Sequence, residues 1–301
     1  MSQDNPIESA FVDVAYATAT PPEWIVSDLL PVGLTVMSGP PKKAYKSLLS
    51  ILLAGLAARW PMAALPPWIR CLRSGPSLML SYEAEAGVIN YILEHDVGVR
   101  VEPGSIYVAH NPFKFQLDNP EQANQLLDYM DDKEPTLVVM DPFRSMHASD
   151  ENDSATTIQL LSPLVQWAHN NKASVLMIHH VNKPTEGKDG SSFYSMRGSS
   201  ALPGLADGLL TIEATKNDGE IVINATFKRG QSYRRLIHLG VAGYGWGARG
   251  YEVLPTSVAA VQTEYDKGNH NPESIAVVLR QSIGQVKQAL EDLRRNHAIQ
   301  G

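Results

Sequence analysis

Residues 39–47 read Gly-Pro-Pro-Lys-Lys-Ala-Tyr-Lys-Ser, and this stretch decides how the fold is interpreted. It follows an apolar run at residues 34–37 and precedes a helical pattern of apolar residues at 48–58. A strand, a tight loop, a Lys-Ser pair and a helix form the layout of a nucleotide phosphate-binding loop. The usual loop has Gly, four residues and then Gly-Lys-Ser/Thr, whereas here Tyr45 replaces the second glycine and Pro40 the first.

The Lys-Ser pair supplies the chemistry that such a loop performs. In a phosphate-binding loop the Lys ammonium reaches the β- and γ-phosphates, and the Ser hydroxyl binds Mg²⁺. Tyrosine is disfavoured where the backbone needs positive φ, so this loop either follows a different path or binds weakly. An ordinary helix that begins with Lys-Ser is the alternative. The residues expected to surround the phosphates are Gly39, Lys42, Lys43, Ala44, Tyr45, Lys46, Ser47 and Leu48.

The composition indicates a cytoplasmic α/β protein. The chain has 301 residues, which fits one large α/β domain with a small appendage or two domains, and 44% of them are apolar, which allows a substantial core. A net charge of −7 argues against a protein that coats nucleic acid nonspecifically, although it is compatible with a local basic groove. Cys71 is the only cysteine, which predicts a reducing compartment and no internal disulfide. No apolar run reaches membrane-spanning length, which predicts no membrane contact.

Alternating strand and helix patterns predict a mainly parallel, twisted sheet that is flanked by helices. Strands are expected at 34–38, 77–81, 106–109, 136–140 and 173–178, with helices near 47–58, 86–94, 120–130 and 156–170. Toward the C-terminal side, tight turns join short strands that are expected to be antiparallel, at 208–212, 220–227 and 233–239. Residues 1–22 are predicted to be a flexible lead-in, and residues 23–255 the main domain.

Residues 268–301 are predicted to form a small helical appendage. Ile283, Val286, Leu290 and Leu293 recur at helical spacing after a Ser-Ile-Gly turn. Two helices in this arrangement resemble a helix-turn-helix or winged-helix-like unit. The sequence leaves a nucleic-acid-binding unit and a plain helical packing domain equally open.

Polar residues follow three more of the predicted strands: Glu83 after 77–81, Asp141 after 136–140, and His180 after 173–178. Ligands of open α/β sheets bind at the carboxyl ends of the strands, so these residues are expected beside the loop. Each also has a simpler interpretation. Glu83 suits a helix N-terminus, Asp141 suits a loop cap, and His180 suits a buried structural histidine or a paired-histidine metal site. The three strand ends together are more specific than any one of them.

The ordered set of motifs resembles the RecA-fold ATPases of the RepA type, which are hexameric replicative helicases. The resemblance covers residues 24–239. Its marks are Trp24-Ile25-Val26, Leu29-Leu30-Pro31, the loop ending at Lys46-Ser47, Tyr82-Glu83, Met140-Asp141-Pro142-Phe143-Arg144, Asp150-Glu151-Asn152, His179-His180 with Lys183, and Arg197-Gly198-Ser199-Ser200-Ala201-Leu202. It implies a RecA-like P-loop core, hydrolysis of ATP with Mg²⁺, a homo-oligomeric ring, and action on single-stranded DNA beside other replication proteins.

The resemblance also implies roles for single residues at the phosphate loop. Lys46 and Ser47 correspond to the Walker A pair. Asp141 corresponds to the Walker B acid, which would hold Mg²⁺ together with Ser47. Glu83 corresponds to the catalytic base, and His180 falls where related motors carry a sensor of the γ-phosphate.

Two further elements are implied to act between subunits or on DNA. Lys228 and Arg229 resemble the Lys-x-Arg element that related ring helicases insert into the neighbouring subunit's site, and a solvated turn is the alternative. In such rings the loop at 181–196 faces the central channel, and a surface loop without that role is the alternative. The candidates for nucleic-acid contact in and after this loop are Lys183, Lys188 and Arg197.

Three functions compete on these grounds. A ring-forming helicase or translocase is favoured by the strand-end acids and the Lys-Arg pair. A DNA-binding switch whose ATP state controls assembly, such as a loader, mediator or regulator, is favoured by the acidic net charge and the missing glycine. A structural oligomer with a degenerate site is the third interpretation, and a small-molecule kinase is less expected because no lid with clustered arginines is evident.

Overall fold

The computed structural model describes residues 21–40, 45–58, 69–96, 100–110, 115–150, 153–180, 201–215, 220–240, 245–254, 261, 264–279 and 283–295. The strands are β1 (Trp24–Val26), β2 (Leu30–Pro31), β3 (Gly33–Gly39), β4 (Ser77–Ser81), β5 (Ile106–His110), β6 (Leu137–Asp141), β7 (Ser174–His180), β8 (Gly208–Ala214), β9 (Glu220–Phe227), β10 (Tyr233–Gly240) and β11 (Gly245–Leu254). The α-helices are α1 (Lys46–Ala57), α2 (Ala86–Tyr91), α3 (Pro120–Lys133), α4 (Ser154–Asn171), α5 (Ala201–Leu205), α6 (Pro272–Leu279) and α7 (Ile283–Arg295). A π-helical turn (Ile92–Asp96) continues α2, and a 3-10 turn (Phe143–Met146) follows β6.

A nine-stranded sheet organises the main body, in the order β11-β10-β9-β8-β3-β7-β6-β4-β5. The strands from β8 to β5 in this order are parallel, whereas β9, β10 and β11 are antiparallel to their neighbours. This arrangement confirms the predicted fold class, a mainly parallel sheet with antiparallel strands toward the C-terminal side. Strand β3, which leads into the phosphate loop, lies inside the sheet between β8 and β7.

The C-terminal side of the sheet differs from the prediction in two details. Strand β8 is antiparallel to β9, as expected, but it pairs in parallel with β3, from Thr35 opposite Gly208 to Ser38 opposite Thr211. A short link to the next strand determines only one neighbour of a strand, and the other neighbour depends on the crossover that precedes it. Strand β11 was not predicted, because glycines interrupt the apolar pattern at 240–250.

Both faces of the sheet are covered, as the continuous apolar strands predicted. In β6, Leu137 and Val139 pack into the core on the α1 side, and Val138 and Met140 pack into the core with α3 and α4. All four side chains are fully buried. Burying a side chain of this size stabilises the fold by about 1.5–3 kcal/mol, so two-sided burial holds β6 firmly at the centre of the sheet.

The helices that cover the sheet begin where the sequence supplies caps. The Asn119 side chain accepts hydrogen bonds from the backbone N–H groups of Glu121 and Gln122 at 3.0 and 3.3 Å, and Pro120 starts α3. Asp153 caps α4 through the N–H of Ala155 at 3.1 Å. These caps fix the directions in which the helices leave the carboxyl edge of the sheet.

The C-terminal helices form a separate apolar cluster. Val286, Ala289, Leu290 and Leu293 of α7 are buried, at the spacing that the sequence predicted. The Asn271 side chain accepts hydrogen bonds from two N–H groups in the first turn of α6, at 2.8 and 3.2 Å. The helix-turn-helix assignment and the boundaries at residues 22, 255 and 268 stay predictions. Among the described helices, none is both long and apolar enough to cross a membrane.

Candidate phosphate-binding and catalytic site

Four parallel strands end together at the carboxyl edge of the sheet. Gly39 at the end of β3 lies opposite His180 of β7, and Ser81 at the end of β4 lies opposite Asp141 of β6. Strand β7 separates β3 from β6, so the end of β6 lies two strand spacings, roughly 10 Å, from the phosphate loop. That gap can hold the terminal phosphates of a nucleotide between the two strand ends.

Lys46 starts α1 and turns its ammonium back into the loop. Its Nζ donates hydrogen bonds to the carbonyl oxygens of Gly39 and Pro40, both at 2.9 Å, and only 7% of the residue is exposed. Burial lowers the pKa of Lys46, and the negative charges of Asp141 and Glu83 oppose that shift. A buried ammonium with carbonyl partners and nearby carboxylates is poised to exchange those partners for phosphate oxygens.

Ser47 joins the two acids of the site. Its Oγ donates a hydrogen bond to Glu83 Oε2 at 3.0 Å, and it also lies within hydrogen-bonding reach of the Asp141 carboxylate. Asp141 is 3% exposed, whereas Glu83 is exposed. Because a hydroxyl has a single proton, it serves one carboxylate at a time. The three side chains therefore meet at one point, although they come from α1, the β4–α2 connection and β6.

Burial makes ionisation of the Asp141 carboxyl costly. Burial raises its pKa to about 6, and the neighbouring Glu83 charge adds to that rise. The hydrogen bond from Ser47 and the Lys46 ammonium work in the opposite direction but are weaker. A cation that bound beside Asp141 would offset the desolvation of its carboxylate.

The oxygens of this group fit a magnesium ion that is shared with a nucleotide. Mg²⁺ prefers hydroxyl and carboxylate oxygens, and it is usually held by one or two protein groups together with phosphates and waters. Ser47 and Asp141 supply such a pair. The described residues contain no cluster of three or more His, Cys, Asp or Glu that could hold a metal alone. A divalent cation here would therefore depend on phosphate oxygens for the rest of its shell.

Tyr45 occupies the glycine position with the backbone of a glycine. Its φ and ψ are 49° and 29°, which lie in the left-handed region, and it directly precedes α1 without capping it by a side-chain hydrogen bond. Such a conformation costs a non-glycine residue roughly 1–2 kcal/mol. The ring packs against the core cluster that contains α1, which helps to offset this cost. Tyr45 therefore adopts a positive φ that a glycine would adopt without this cost.

Glu83 is held in place by Ser81 and Tyr82, to which the sequence analysis assigned no role. Ser81 Oγ accepts a hydrogen bond from the Ala84 N–H at 2.9 Å, and the Tyr82 N–H donates to the Asp141 carbonyl at 2.8 Å. The Tyr82 hydroxyl donates to the Phe115 carbonyl at 3.0 Å. These bonds fix the residues on either side of Glu83. No local pattern signals these bonds, since Ser81 is simply the last residue of a predicted strand.

The loop after β6 is organised by a second unforeseen residue. Asp118 Oδ2 accepts hydrogen bonds from the N–H groups of Ala148 and Ser149 at 2.8 and 3.0 Å, and from the Ser149 hydroxyl at 2.9 Å. These bonds lower the pKa of Asp118, against the effect of burial. Arg144, in the same loop, is exposed and donates from Nη1 to the His147 carbonyl at 3.1 Å.

The two histidines that end β7 are placed differently. The backbone of His180 lies opposite Gly39, beside the phosphate loop, but its side chain lies outside the described part of the structure. His179 is 2% exposed and its ring is 6.4 Å from that of Phe143. The predicted sensor role of His180 stays a prediction.

Lys228 and Arg229 do not join the phosphate site of their own chain. Phe227, which precedes them, lies opposite Gly208 at the beginning of β8. The Lys228 N–H donates to the Asp207 carbonyl at 2.9 Å, next to the start of β3. Seven residues of β3 separate this amino edge from the loop, a distance of roughly 20 Å.

The other predicted site residues lie outside the described ranges. They are Lys42, Lys43 and Ala44 of the phosphate loop, and Lys183, Lys188 and Arg197 of the expected nucleic-acid loop.

Comparisons with known proteins agree with this architecture. No curated protein sequence is significantly similar to the chain. The fold is shared with 411 chains of solved structures. One of them, the RadB recombinase, superposes with a TM-score of 0.50 and 14% identity over 71% of this chain and 90% of its own. The AAA domain family matches residues 6–186, which is more than half of the sequence. The chain therefore belongs to the AAA domain family, and its architecture is that of a RecA-fold P-loop ATPase.

Proposed function

We propose that this protein is a cytoplasmic, Mg²⁺-dependent ATPase that assembles into a ring and moves on single-stranded DNA, as a replicative helicase of the RepA type does. The convergence of Lys46, Ser47, Glu83 and Asp141 carries the proposal. Four groups from three segments meet where a phosphate-binding loop ends, and each has the chemistry that phosphoryl transfer needs.

Each of these four groups has its own role in the proposed reaction. Lys46 would leave the carbonyls of Gly39 and Pro40 and donate its hydrogen bonds to phosphate oxygens. Glu83 is engaged by the Ser47 hydroxyl at 3.0 Å, and release of that bond would free its carboxylate to accept a proton from water. The metal, when bound to Ser47 and Asp141, would neutralise charge on the phosphates.

The ring part of the proposal rests on the position of Lys228 and Arg229. Both are exposed at the amino edge, roughly 20 Å from their own phosphate loop. A cation at that distance cannot stabilise phosphoryl transfer in its own chain, but it can do so in a neighbour that is packed head to tail. We propose Arg229, assisted by Lys228, as the cation that each subunit gives to the next. The family resemblance implies that the ring is a hexamer.

Contact with single-stranded DNA is assigned to the loop at 181–196 and the residue that follows it. The proposed phosphate contacts are Lys183, Lys188 and Arg197, and the aromatic residues Phe193 and Tyr194 suit base stacking. His180 would link this loop to the γ-phosphate, because its backbone adjoins Gly39. Other replication proteins are proposed partners on the strength of the family resemblance alone.

A second candidate is an ATP-dependent switch with little or no unwinding activity. The observation that favours it is the left-handed Tyr45, which stores strain in the loop where a fast motor would carry glycine. A solved recombinase shares the fold, so the architecture is not confined to helicases.

ATP hydrolysis with and without single-stranded DNA tests the proposal, alongside the mass in solution with and without nucleotide. Lys46→Ala is expected to reduce turnover by at least about a hundredfold. Lys287→Ala, which removes an exposed lysine of α7, serves as the control and should leave turnover unchanged. Stimulation by single strands together with strand displacement would support the motor. Nucleotide-dependent assembly without displacement would support the switch, and full turnover in Lys46→Ala would refute both.

A further inference from the structure

A group of exposed cations lies at the amino edge of the sheet, and part of it has no place in the proposed chemistry. It comprises Arg70 and Arg73, which flank the 56%-exposed Leu72, together with Lys228 and Arg229. We call these five residues the cationic edge. Its two segments come from distant parts of the chain, so only the fold brings them together.

Strand β1 attaches the first segment. The Ile25 carbonyl accepts hydrogen bonds from the N–H groups of Leu72 and Arg73 at 2.9 and 3.4 Å. The Ser27 N–H donates to the Arg70 carbonyl at 2.9 Å, and the Arg70 N–H donates to Ser27 Oγ at 2.8 Å. The backbone of residues 70–73 is thereby held along one edge of β1.

The same strand supports the second segment through Trp24. The Trp24 ring meets the Phe227 ring edge to face at 4.8 Å, just before Lys228. Gly230, with φ 154°, lies so close that a Cβ there would come within 3.1 Å of the Trp24 ring. Trp24 and Ile25 are consecutive residues, so the two cationic segments flank a single short strand.

The arginines of the cationic edge are available for contact. Within the part of the chain that the structure describes, the side chains of Arg70, Arg73 and Arg229 make no hydrogen bond or ion pair, and Lys228 Nζ contacts only the Leu205 carbonyl at 3.2 Å. By contrast, Arg234 and Arg235 nearby are paired with Glu213 and Asp28 at 2.9 and 3.2 Å. Acidic partners therefore neutralise Arg234 and Arg235, whereas the charges of the cationic edge have no acidic partner among the described residues.

A surface of opposite charge lies beside the phosphate site. Glu83, Glu85 and Glu94 are exposed there, and residues 82–94 contain no Lys or Arg. Two apolar side chains of α2 are also exposed, Val88 at 44% and Tyr91 at 58%. We call these five residues the acidic face. It matches the cationic edge in character, since each surface combines charges of one sign with exposed apolar groups.

We propose that the cationic edge of one copy docks on the acidic face of a second copy, with Arg70, Leu72 and Arg73 forming a contact that holds Arg229 at the neighbouring phosphate site. This inference rests on the proposed function for the role of Arg229, but the docking itself does not. The two surfaces lie at opposite edges of one sheet, so the contact is head to tail and leads to a ring or a helical filament. Complementary charges set the register and speed the encounter, while Leu72, Val88 and Tyr91 supply apolar area.

The first experiment measures assembly. With ATP and Mg²⁺, the double variant Arg70→Glu, Arg73→Glu is expected to shift assembly to at least about tenfold higher protein concentration, because like charges then face each other. Adding Glu85→Arg and Glu94→Arg to the same chain should restore assembly. Arg294→Glu, at an exposed arginine of α7, is the matched control and should assemble as the wild type does. Unchanged assembly of the double variant would overturn the proposal, as would failure of the wild type to assemble.

The second experiment separates docking from the role of Arg229. The Lys46→Ala variant has an inactive phosphate site but a complete cationic edge. The Arg229→Ala variant has an intact phosphate site but lacks the cation. In a mixture, Arg229 of the first variant can act at the site of the second, so ATP hydrolysis should return. Placing Arg70→Glu and Arg73→Glu in the Lys46→Ala partner should remove most of that rescue. Placing the same two substitutions in the Arg229→Ala partner should leave the rescue intact. Rescue in this second mixture also shows that a chain with the two substitutions folds.

The outcomes point to different conclusions. A mixture that never regains activity, combined with loss of assembly in the double variant, would refute Arg229 in trans while supporting the docking. Full rescue with Arg70→Glu and Arg73→Glu in the Lys46→Ala partner would refute the docking. Normal assembly with reduced stimulation by single-stranded DNA would also refute it and would make the cationic edge a nucleic-acid surface.

Discussion

Charged side chains are buried at the carboxyl edge of the sheet and exposed at its amino edge. At the carboxyl edge, Lys46 and Asp141 are buried, at 7% and 3% exposure, and both have shifted pKa values. At the amino edge, Arg70, Arg73 and Arg229 are exposed. Buried charges are costly unless a ligand or a reaction uses them, whereas exposed charges are hydrated and inexpensive. The comparison therefore assigns chemistry to the first edge and contact to the second.

Left-handed backbone occurs at both edges of the sheet. At the amino edge, positive φ falls on Gly33, at 107°, where a Cβ would lie 2.0 Å from Asp207 Oδ2, and on Glu134 and Lys172, at 45° and 53°. Glu134 and Lys172 end α3 and α4, where a left-handed residue is a common cap. Tyr45 instead precedes a helix, at the phosphate loop. Its backbone strain therefore lies at the candidate site, where strain of this kind concentrates.

The largest expected effect is on the chemistry of the carboxyl edge. Glu83→Gln should lower ATP turnover by about 10²–10⁴-fold, because the amide cannot accept the proton of the attacking water. Nucleotide binding should change little, since Lys46 and the loop are intact. Steady-state hydrolysis and a fluorescent-nucleotide titration measure the two effects. Glu102→Gln, at an exposed residue before β5, is the matched control, and an equal loss in both variants would contradict the assignment of Glu83 as the base.

A second prediction concerns the cost of burying Asp141. Its folded-state pKa of about 6 exceeds the ordinary 3.8, so the folded protein binds more protons than the unfolded chain between these values. The contribution of this group to stability therefore falls as pH rises from about 4 to about 6, and it stays unfavourable above that. At pH 7.5, Asp141→Asn should stabilise the nucleotide-free protein by up to about 3 kcal/mol, and the gain should vanish near pH 4.

Urea unfolding at several pH values measures the stabilisation by Asp141→Asn. Asp207, at the amino edge of the sheet, provides the control. Asp207 accepts a hydrogen bond from the Leu34 N–H at 3.0 Å and lies 3.1 Å from His169 Nε2. Asp207→Asn should not stabilise the protein at any pH, because that carboxylate serves the fold. Asp141→Asn should also abolish Mg²⁺-dependent nucleotide binding. A variant that was less stable than the wild type at pH 7.5 would show that Asp141, too, is mainly structural.

The smallest expected effect tests the strain at Tyr45. Asparagine adopts the left-handed conformation readily, whereas a β-branched residue does not. Tyr45→Val should therefore be less stable than Tyr45→Asn by about 1–2 kcal/mol, although valine is the more apolar residue. Thermal or urea unfolding makes the comparison. If valine were the better replacement, the packing of the ring would outweigh the backbone conformation at this position.

Much of the fold was predictable because its signals are local. The buried strands are continuous apolar runs, and β4 and β9 were predicted with the bounds that the structure has. Asp141 and Glu83 were singled out as candidates because they follow such runs, and their roles stay predictions. The support of Glu83 by Ser81 and the organisation of the β6 loop by Asp118 were missed, since a serine or an aspartate in a loop carries no signal of its distant partner. The parallel pairing of β8 with β3 was missed for the same reason.

The sequence by itself determined the order of the motifs, the two-sided burial of the strands and the conflict between Tyr45 and the positive φ of a usual loop. These depend on the spacing of residues along the chain and on the conformations that each residue allows. Only the tertiary structure decided that Ser47 bonds to Glu83, that the pKa of Asp141 rises, and that two cationic segments meet on β1. Those features depend on burial and on contacts between segments far apart in sequence, which no local pattern records.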